Sequence, residues 1–245
     1  MEKDQVQQMK EIRDQITRFM MTYKFGLREM DTKLTILKEE FQLFHDYNPI
    51  EHIKSRIKSP ESILQKMLRK NIEMSLDSIK ENIRDIVGIR IVCSFTADIY
   101  KISDMILKQK DITLIECKDY IKNPKSNGYK SLHLVLAIPV FMSDREEQVY
   151  VEIQIRTVAM DFWASLEHKI YYKYNKSIPE HLVKELTNAA TAANELDLKM
   201  ERLYKEVTYI KEQETSNYAV NPLGIGEGGF QIPDHFLDSL LKDRQ

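Results

Sequence analysis

The sequence has 245 residues, of which 42% are hydrophobic and 30% are charged, with a formal net charge of -2. This length is sufficient for one α/β domain with helical extensions, and the nearly balanced charge excludes a general attraction to nucleic acid or to an anionic membrane surface. Two cysteines are too few for a disulfide framework, and no segment approaches the roughly 18 uncharged residues of a membrane span. We therefore expect a cytoplasmic protein that does not bind membranes.

The first predicted element is a long helix, or a pair of helices, over residues 16–44. Its apolar residues alternate spacings of four and three, which is typical of a helix that packs along one narrow stripe. Gly26 is a position at which this helix can bend or break, and Asn48-Pro49 closes it because the residue before proline is pushed out of the α region. Residues 1–47 are therefore expected to form an N-terminal helical extension.

A second, basic helix is predicted from Ser59, a favoured N-cap residue, with proline at the first helical position. It runs to about residue 74. A basic face near a helix start suits a polyphosphate, although an ordinary solvated face explains this segment more simply when it is taken alone. The polar residues that share this face or precede the helix are Arg56, Lys58, Ser62, Lys66 and Arg69.

The middle of the chain changes to short apolar runs rich in β-branched residues, which predict strands. A segment with helical spacing, residues 97–110, separates the first two runs. This order predicts a mixed sheet with helices on one face. The four runs are DIVGIRIVCSF, ITLIECKDYI, SLHLVLAIPV and VYVEIQIRT.

The last of these runs has a chemically varied polar face. Glu152, Gln154 and Arg156 point to one side, opposite three apolar residues. Asp85 opens the first run, and together with Glu152 it could form a two-carboxylate site for Mg²⁺, which substrate phosphates usually complete. Each acid taken singly is explained more simply by a structural role.

A lysine-rich segment, KDYIKNPKSNGYKSLH, lies between the second and third runs. Its lysines can bind phosphate, and Tyr129 offers a stacking surface for a nucleobase. NPKSNG alone is equally well explained as a turn before a strand. In the run SLHLVLAIPV, which follows this segment, His133 and Ser131 share one face of the predicted strand.

The C-terminal part is predicted to be helical and then irregular. One helix covers residues 158–174, and a longer one covers 179–213 with a stripe of coiled-coil period. We predict an oligomerisation helix over residues 176–213 and a flexible tail with a short amphipathic segment over residues 214–245.

Five segments taken together resemble the RelA/SpoT synthetase domain, in the form of a stand-alone small alarmone synthetase. They are R-x-K-S-x-x-S from Arg56, D-I-V-G-I-R-I-V, N-P-K-S-N-G-Y-K-S-L-H, V-E-I-Q-I-R-T and M-D-F-W-A-S-L-E-H-K. The resemblance covers residues 48–175. It implies an α/β (α+β) fold with a nucleotidyltransferase-like mixed sheet, flanked by helices and extended by long N- and C-terminal helices.

The activity implied by this resemblance is that of a Mg²⁺-dependent GTP diphosphokinase in the stringent response. It transfers the β,γ-pyrophosphate of ATP to the 3′-hydroxyl of GTP or GDP, giving (p)ppGpp and AMP. Asp85 and Glu152 would be the catalytic and metal-binding residues. The ATP-binding residues implied are Arg56, Lys58, Ser62, Lys66, Arg69 and Arg90. Those implied for GTP or GDP are Lys118, Lys125, Asn127, Tyr129, Lys130, His133, Gln154, Asp161 and Ala164.

The resemblance also implies a homo-oligomer, specifically a tetramer formed through the terminal helices. Two positions depart from the family pattern: Ser126 stands where proline is common, and Lys118 where arginine is common. A different class of function is a catalytically weak regulatory module that binds guanine nucleotides. RNA binding is possible for such a module, but nothing in the sequence supports it.

Overall fold

The computed structural model describes residues 2–44, 47–173 and 179–215. The predicted tail therefore lies outside the described residues from residue 216 onwards. The elements of the described part are α1 (Glu2–Phe44), β1 (Ile50–Ile57), α2 (Pro60–Lys70), α3 (Leu76–Asn82), β2 (Val87–Cys93), α4 (Thr96–Leu107), β3 (Thr113–Asp119), β4 (Leu132–Phe141), β5 (Glu146–Thr157), α5 (Val158–Lys173) and α6 (Glu180–Thr215).

The five strands form one mixed sheet in the order β1-β2-β5-β4-β3. β2 pairs with β5 in parallel, and the other neighbours are antiparallel. The predicted mixed α/β fold is thus confirmed. Two elements, β1 and α3, are absent from the predicted set. α2 ends earlier than the predicted residue 74, because Asn71 adopts a left-handed backbone conformation at the C-cap.

One face of the sheet is apolar and buried. Ile89 of β2, Ile153 of β5 and Leu134 of β4 lie side by side on this face, since alternate residues of a strand point to the same side. Helices α1 and α4 cover it with buried apolar side chains, and all of these residues belong to one core cluster. The core therefore lies on this side of the sheet, and the other side is left for polar groups.

Helix α1 is continuous and is part of the main core. Its buried residues Tyr23, Met30, Leu34, Leu37 and Phe41 pack within the same cluster as the strands. This part of its apolar stripe is therefore used within the chain and is not free for oligomerisation. The N-terminal part of α1 exposes large apolar side chains at Val6, Met9, Ile12 and Ile16, and its C-terminal part exposes Ile36, Leu43 and Phe44.

Helix α1 does not break at Gly26 but continues from Glu2 to Phe44. A Cβ atom at this position would lie 2.6 Å from Cγ1 of Val149 in β5, so the glycine lets the helix approach the sheet closely. Tertiary packing here outweighs the low helix propensity of glycine. Within the described residues, no helix combines the length and apolar composition that crossing a membrane requires.

This close approach predicts that Gly26→Ala destabilises the protein. Alanine improves helix propensity by about 1 kcal/mol, but overpacking against a buried, stiff valine costs about 1 to 3 kcal/mol. We expect a net loss of about 1 kcal/mol in the free energy of unfolding, measured by urea denaturation.

The variant Val149→Ala provides the matched test, because it removes the methyl groups that the new Cβ would meet. The double variant should lose less stability than the sum of the two single losses. Strictly additive losses would show that Gly26 and Val149 are not in steric conflict.

Candidate active site

The polar face of the sheet carries two rows of side chains that cross all five strands. The strand register fixes their order, because directly paired residues point to the same side. The first row is Arg56, Gly88, Glu152, Val135 and Glu116. The second row is Lys54, Arg90, Gln154, His133 and Lys118.

A polar cleft of about 230 Å³ lies over the β1, β2 and β5 part of these rows. It brings together Arg56, Arg90, Glu152 and Gln154, four of the residues predicted from the sequence. The aliphatic part of Arg56 lies near Gly88, where the absence of a side chain leaves the strand surface open. A larger cavity of about 370 Å³ between α1, α2 and α3 has no charged residue in its lining. It therefore has no cationic side chain that could bind phosphates.

Asp85 lies in the turn that leads into β2, between two lysines. Lys58, which follows β1, donates a hydrogen bond to Oδ2, and Nζ of Lys66 in α2 lies 2.7 Å from Oδ1. Burial alone would raise the pKa of the Asp85 carboxyl, but the two lysines outweigh it and hold this pKa below its ordinary value. Ser62 and Arg69 of the same helix are exposed.

Arg156, at the end of β5, is the most highly connected side chain on this face. It is only 4% exposed, and its guanidinium donates hydrogen bonds to Ser131, Asp161, Tyr129 and Gln154. Arg90 approaches the same Asp161 oxygen at 3.1 Å. These contacts connect the β2 side of the face to the loop that carries Tyr129.

The aromatic side chains of this loop surround His133. The Tyr129 hydroxyl lies 2.7 Å from His133 Nε2, and Nζ of Lys125 lies 4.8 Å from the ring centres of both Tyr120 and Tyr129. Burial, followed by the charges of Arg156, Lys125 and Lys118, lowers the pKa of His133 to about 3. His133 is therefore a neutral ring at pH 7 before any nucleotide binds.

Three of the predicted residues are directed toward helices instead of toward the polar face. Lys130 donates a hydrogen bond to Asn194 of α6, Asn127 donates one to Glu167 of α5, and Ala164 packs with Trp163 and Ala190. These contacts hold the loop and the helices together.

The loop itself is pressed against α6 at Gly128. This glycine has a φ of 86°, which favours glycine, and a Cβ atom there would lie 2.5 Å from Cβ of Ala190. The polar face, the loop and the C-terminal helix therefore form one packed unit.

A sequence model of the region found in RelA/SpoT proteins matches residues 55–177, the part of the chain that carries these groups. Over 188 residues the chain is 52% identical to GTP pyrophosphokinase YwaC of Bacillus subtilis (strain 168), which covers 77% of this chain and 90% of that relative. The chain belongs to the RelA/SpoT family.

Solved structures of RelA/SpoT family members agree with this membership. The crystal structure of small alarmone synthetase 2 from Bacillus subtilis is 48% identical, with a TM-score of 0.71 over 78% of this chain and 98% of that one. The structure of small alarmone synthetase 1 from the same organism, bound to its product pppGpp, is 39% identical, with a TM-score of 0.74 over 80% and 99%.

The donor set on the polar face fits the divalent ion expected of a RelA/SpoT synthetase. The side chains of Asp85 and Glu152 are each 23% exposed, and Glu152 lines the cleft. Among the described residues, no group of three or more histidine, cysteine, aspartate or glutamate side chains could hold a metal ion alone. Two carboxylates fit an ion such as Mg²⁺, whose coordination substrate phosphates complete.

Sequence reasoning gave no functional role to several groups of this site. It placed Arg156 on the polar face beside Glu152 and Gln154, and the E-x-Q-x-R alternation was the available signal. Its partners in the loop and in α5 are distant in sequence and could not be read from that pattern. Lys54 enters the second row through β1, a strand that was not predicted, and Tyr120 contacts His133 edge-on.

The ion pairs of Asp85 predict a pH-dependent contribution to stability. Because the folded-state pKa is lowered, the carboxylate stabilises the folded protein above its unfolded-state pKa of about 4, and this contribution is lost as the pH falls through the folded-state value. We expect Asp85→Asn to lower the free energy of unfolding at pH 7 by about 2 kcal/mol, the usual size for a hydrogen bond to a charged group.

Urea denaturation at pH 7 and at pH 3 measures this difference, which should shrink at the lower pH. Asp144→Asn is the matched control, because its carboxylate belongs to an exposed ion pair and its removal should change stability by less than about 0.5 kcal/mol. An Asp85→Asn effect of equal size at both pH values would contradict the assignment.

Proposed function

We propose that this chain is a GTP/GDP pyrophosphokinase that transfers the β,γ-pyrophosphate of ATP to the 3′-hydroxyl of GTP or GDP, giving (p)ppGpp and AMP in the stringent response. The observation that carries this proposal is the polar sheet face of a RelA/SpoT family member. Its central strand carries Glu152, with Arg56 and Arg90 on the strands to one side and Lys118 on the edge strand to the other. The names of the relatives support the same activity. A cytoplasmic location is part of the proposal, since ATP and guanine nucleotides are cytoplasmic substrates.

The ATP side of the proposed site is the part formed by β1, β2 and α2. Arg56 and Arg90 line the cleft from neighbouring strands, and guanidinium groups stack well on an adenine ring. Lys58 and Lys66 meet at the end of the same strands, where they can exchange Asp85 for ATP phosphates. Ser62 and Arg69 extend this cationic surface along α2.

The guanine side is the part formed by β4, the 125–130 loop and α5. Tyr129 provides the stacking surface and Lys125 a phosphate contact, with Lys118 at the sheet edge. His133, Gln154 and Asp161 complete the polar wall of this side. Asn127, Lys130 and Ala164 support it by holding the loop against α5 and α6.

The proposed reaction requires alignment and neutralisation of charge more than covalent help. The 3′-oxygen forms a bond to the β-phosphorus, the bond from that phosphorus to the α,β-bridging oxygen breaks, and AMP leaves. Glu152 is placed to accept the proton of the 3′-hydroxyl. Asp85 and Glu152 would hold Mg²⁺, which supplies neutralisation of the phosphate charges when bound.

The decisive experiment is incubation of the purified protein with ATP labelled in its γ-phosphate, Mg²⁺ and either GTP or GDP. We expect labelled (p)ppGpp and an equal amount of AMP. Glu152→Gln should reduce the rate by about 100-fold or more, since a positioned general base contributes on the order of 10² to 10⁴.

Binding of guanine nucleotides by the wild-type protein without product formation would instead identify a regulatory binding module. A Glu152→Gln variant with wild-type rates would leave the pyrophosphokinase activity intact but would remove Glu152 from its catalytic role.

Assembly into a homo-oligomer, specifically a tetramer, is also proposed, and α6 supports it. The predicted stripe of this helix remains exposed within the chain, with Leu196, Leu203, Val207 and Ile210 each about half exposed. An apolar surface of this extent is typical of a protein interface. The division into a synthetase domain, residues 48–175, and an oligomerisation helix, residues 176–213, follows from this proposal.

Light scattering at micromolar concentration should give about four times the chain mass of 28.9 kDa. The double variant Leu196→Glu/Leu203→Glu should produce a smaller species, because each charge would be buried in the interface. Phe141→Glu is the control, since this exposed residue lies at the end of β4 and not on α6. A wild-type monomer would exclude the proposed assembly.

A further inference from the structure

Arg156 is a buried cation whose guanidinium donors are matched by hydrogen-bond acceptors on the surrounding residues. A buried charge is costly unless it is paired and fully hydrogen-bonded, and Arg156 satisfies this requirement with acceptors from four separate residues. Their distances are 2.6 Å to Tyr129 Oη, 2.7 Å to Gln154 Oε1, 3.2 Å to Asp161 Oδ1 and 3.4 Å to Ser131 Oγ. These acceptors lie in the loop, β5, α5 and the start of β4.

The contact with Gln154 sets the orientation of Glu152. A guanidinium can only donate, so the amide oxygen of Gln154 must face Arg156. Its amide nitrogen then donates to Oε2 of Glu152 at 3.0 Å. One carboxylate oxygen of Glu152 is held in this way, and Oε1 remains available on the side where His133 Nδ1 lies 3.9 Å away.

The contact with Tyr129 sets the orientation of the loop. The phenol oxygen accepts from Arg156 and also lies 2.7 Å from Nε2 of His133. The guanidinium carbon also lies 5.1 Å from the centre of the Tyr129 ring. Arg156 therefore holds both the hydroxyl and the ring of the residue proposed to stack on guanine.

Asp161 extends the same network to the ATP side. Its Oδ1 receives Nη1 of Arg156 at 3.2 Å and Nη1 of Arg90 at 3.1 Å. The two arginines thus share one carboxylate oxygen, and a displacement of either changes the electrostatic surroundings of the other.

We propose that Arg156 is a positioning residue that orients Glu152 through Gln154 and the guanine platform through Tyr129. This inference rests on the proposed pyrophosphokinase activity. Lysine cannot replace the arginine, because a single ammonium group cannot span acceptors on four residues in the planar geometry that a guanidinium provides. A purely structural role is the competing explanation, and it affects the amount of folded protein without changing turnover per folded molecule.

Three variants separate these explanations. Arg156→Lys retains the charge and removes the contacts that orient Gln154 and Tyr129. Gln154→Met removes only the contact that orients Glu152. Tyr129→Phe removes only the contact of the hydroxyl and retains the stacking ring. Arg145→Lys, in an exposed ion-pair cluster of the β4–β5 hairpin, is the matched control and should behave as wild type.

The measurements are kcat and KM for ATP and for GTP, together with a melting curve for each variant. We expect Arg156→Lys and Gln154→Met each to lower kcat by about 100-fold with little change in KM for ATP, the scale of a small misplacement of a reacting group. Arg156→Lys should also raise KM for GTP several-fold, because it removes the contact to Tyr129 as well. Tyr129→Phe should raise KM for GTP several-fold and leave KM for ATP unchanged. The double variant Arg156→Lys/Gln154→Met should be no slower than Arg156→Lys alone, because both act through one chain of contacts.

The inference is overturned if Gln154→Met keeps more than half of the wild-type kcat, or if the two losses of rate multiply in the double variant. Should Arg156→Lys fail to fold, the Gln154→Met result still decides the question. Either overturning outcome leaves the proposed function standing as long as the wild-type protein makes product. A wild-type protein without activity would refute the proposed function and this inference together.

Discussion

The parallel pairing of β2 with β5 at the centre of the sheet is the contact on which the candidate site depends. It places Gly88 beside Glu152 and Arg90 beside Gln154, although the two strands are separated in sequence by a helix, two strands and the loops that join them. If either strand shifted by one residue along the other, its polar side chains would point into the apolar core. Burial of the opposite face under α1 and α4 is therefore what fixes the chemistry of the polar face.

Four cations of the site are held in ion pairs before any nucleotide binds. Lys58 and Lys66 share Asp85, and Arg90 and Arg156 share Asp161. Without these two acids, four positive charges would repel one another in a partly buried surface, at a cost to the folded state. The pairs differ in burial: Arg156 is held in the interior, whereas the lysines lie at the cleft edge, where phosphates can replace the carboxylate.

Much of this architecture is predictable from residue periodicity, and the exceptions have physical causes. The alternation in β2, β4 and β5 is regular, and their predicted ranges agree with the structure. In β1 the apolar residues Ile50, Ile53 and Ile57 have helical spacing, because an irregularity between Ile50 and residue 52 changes which side faces the core. Strand alternation placed Glu152, Gln154 and Arg156 together on one face. Their hydrogen-bond partners could not be found in this way, because tertiary packing brings those partners together.

Helix α6 shows why the C-terminal region cannot be separated from the site. On one side its small residue Ala190 lets Gly128 approach and its Asn194 binds Lys130, so the loop that carries Tyr129 is fixed by this helix. On the other side its large apolar residues are exposed. A helix that uses both surfaces must keep small and polar residues inside and apolar residues outside, the reverse of an ordinary surface helix. This inversion explains why its sequence resembles an assembly helix although its inner face supports the nucleotide loop.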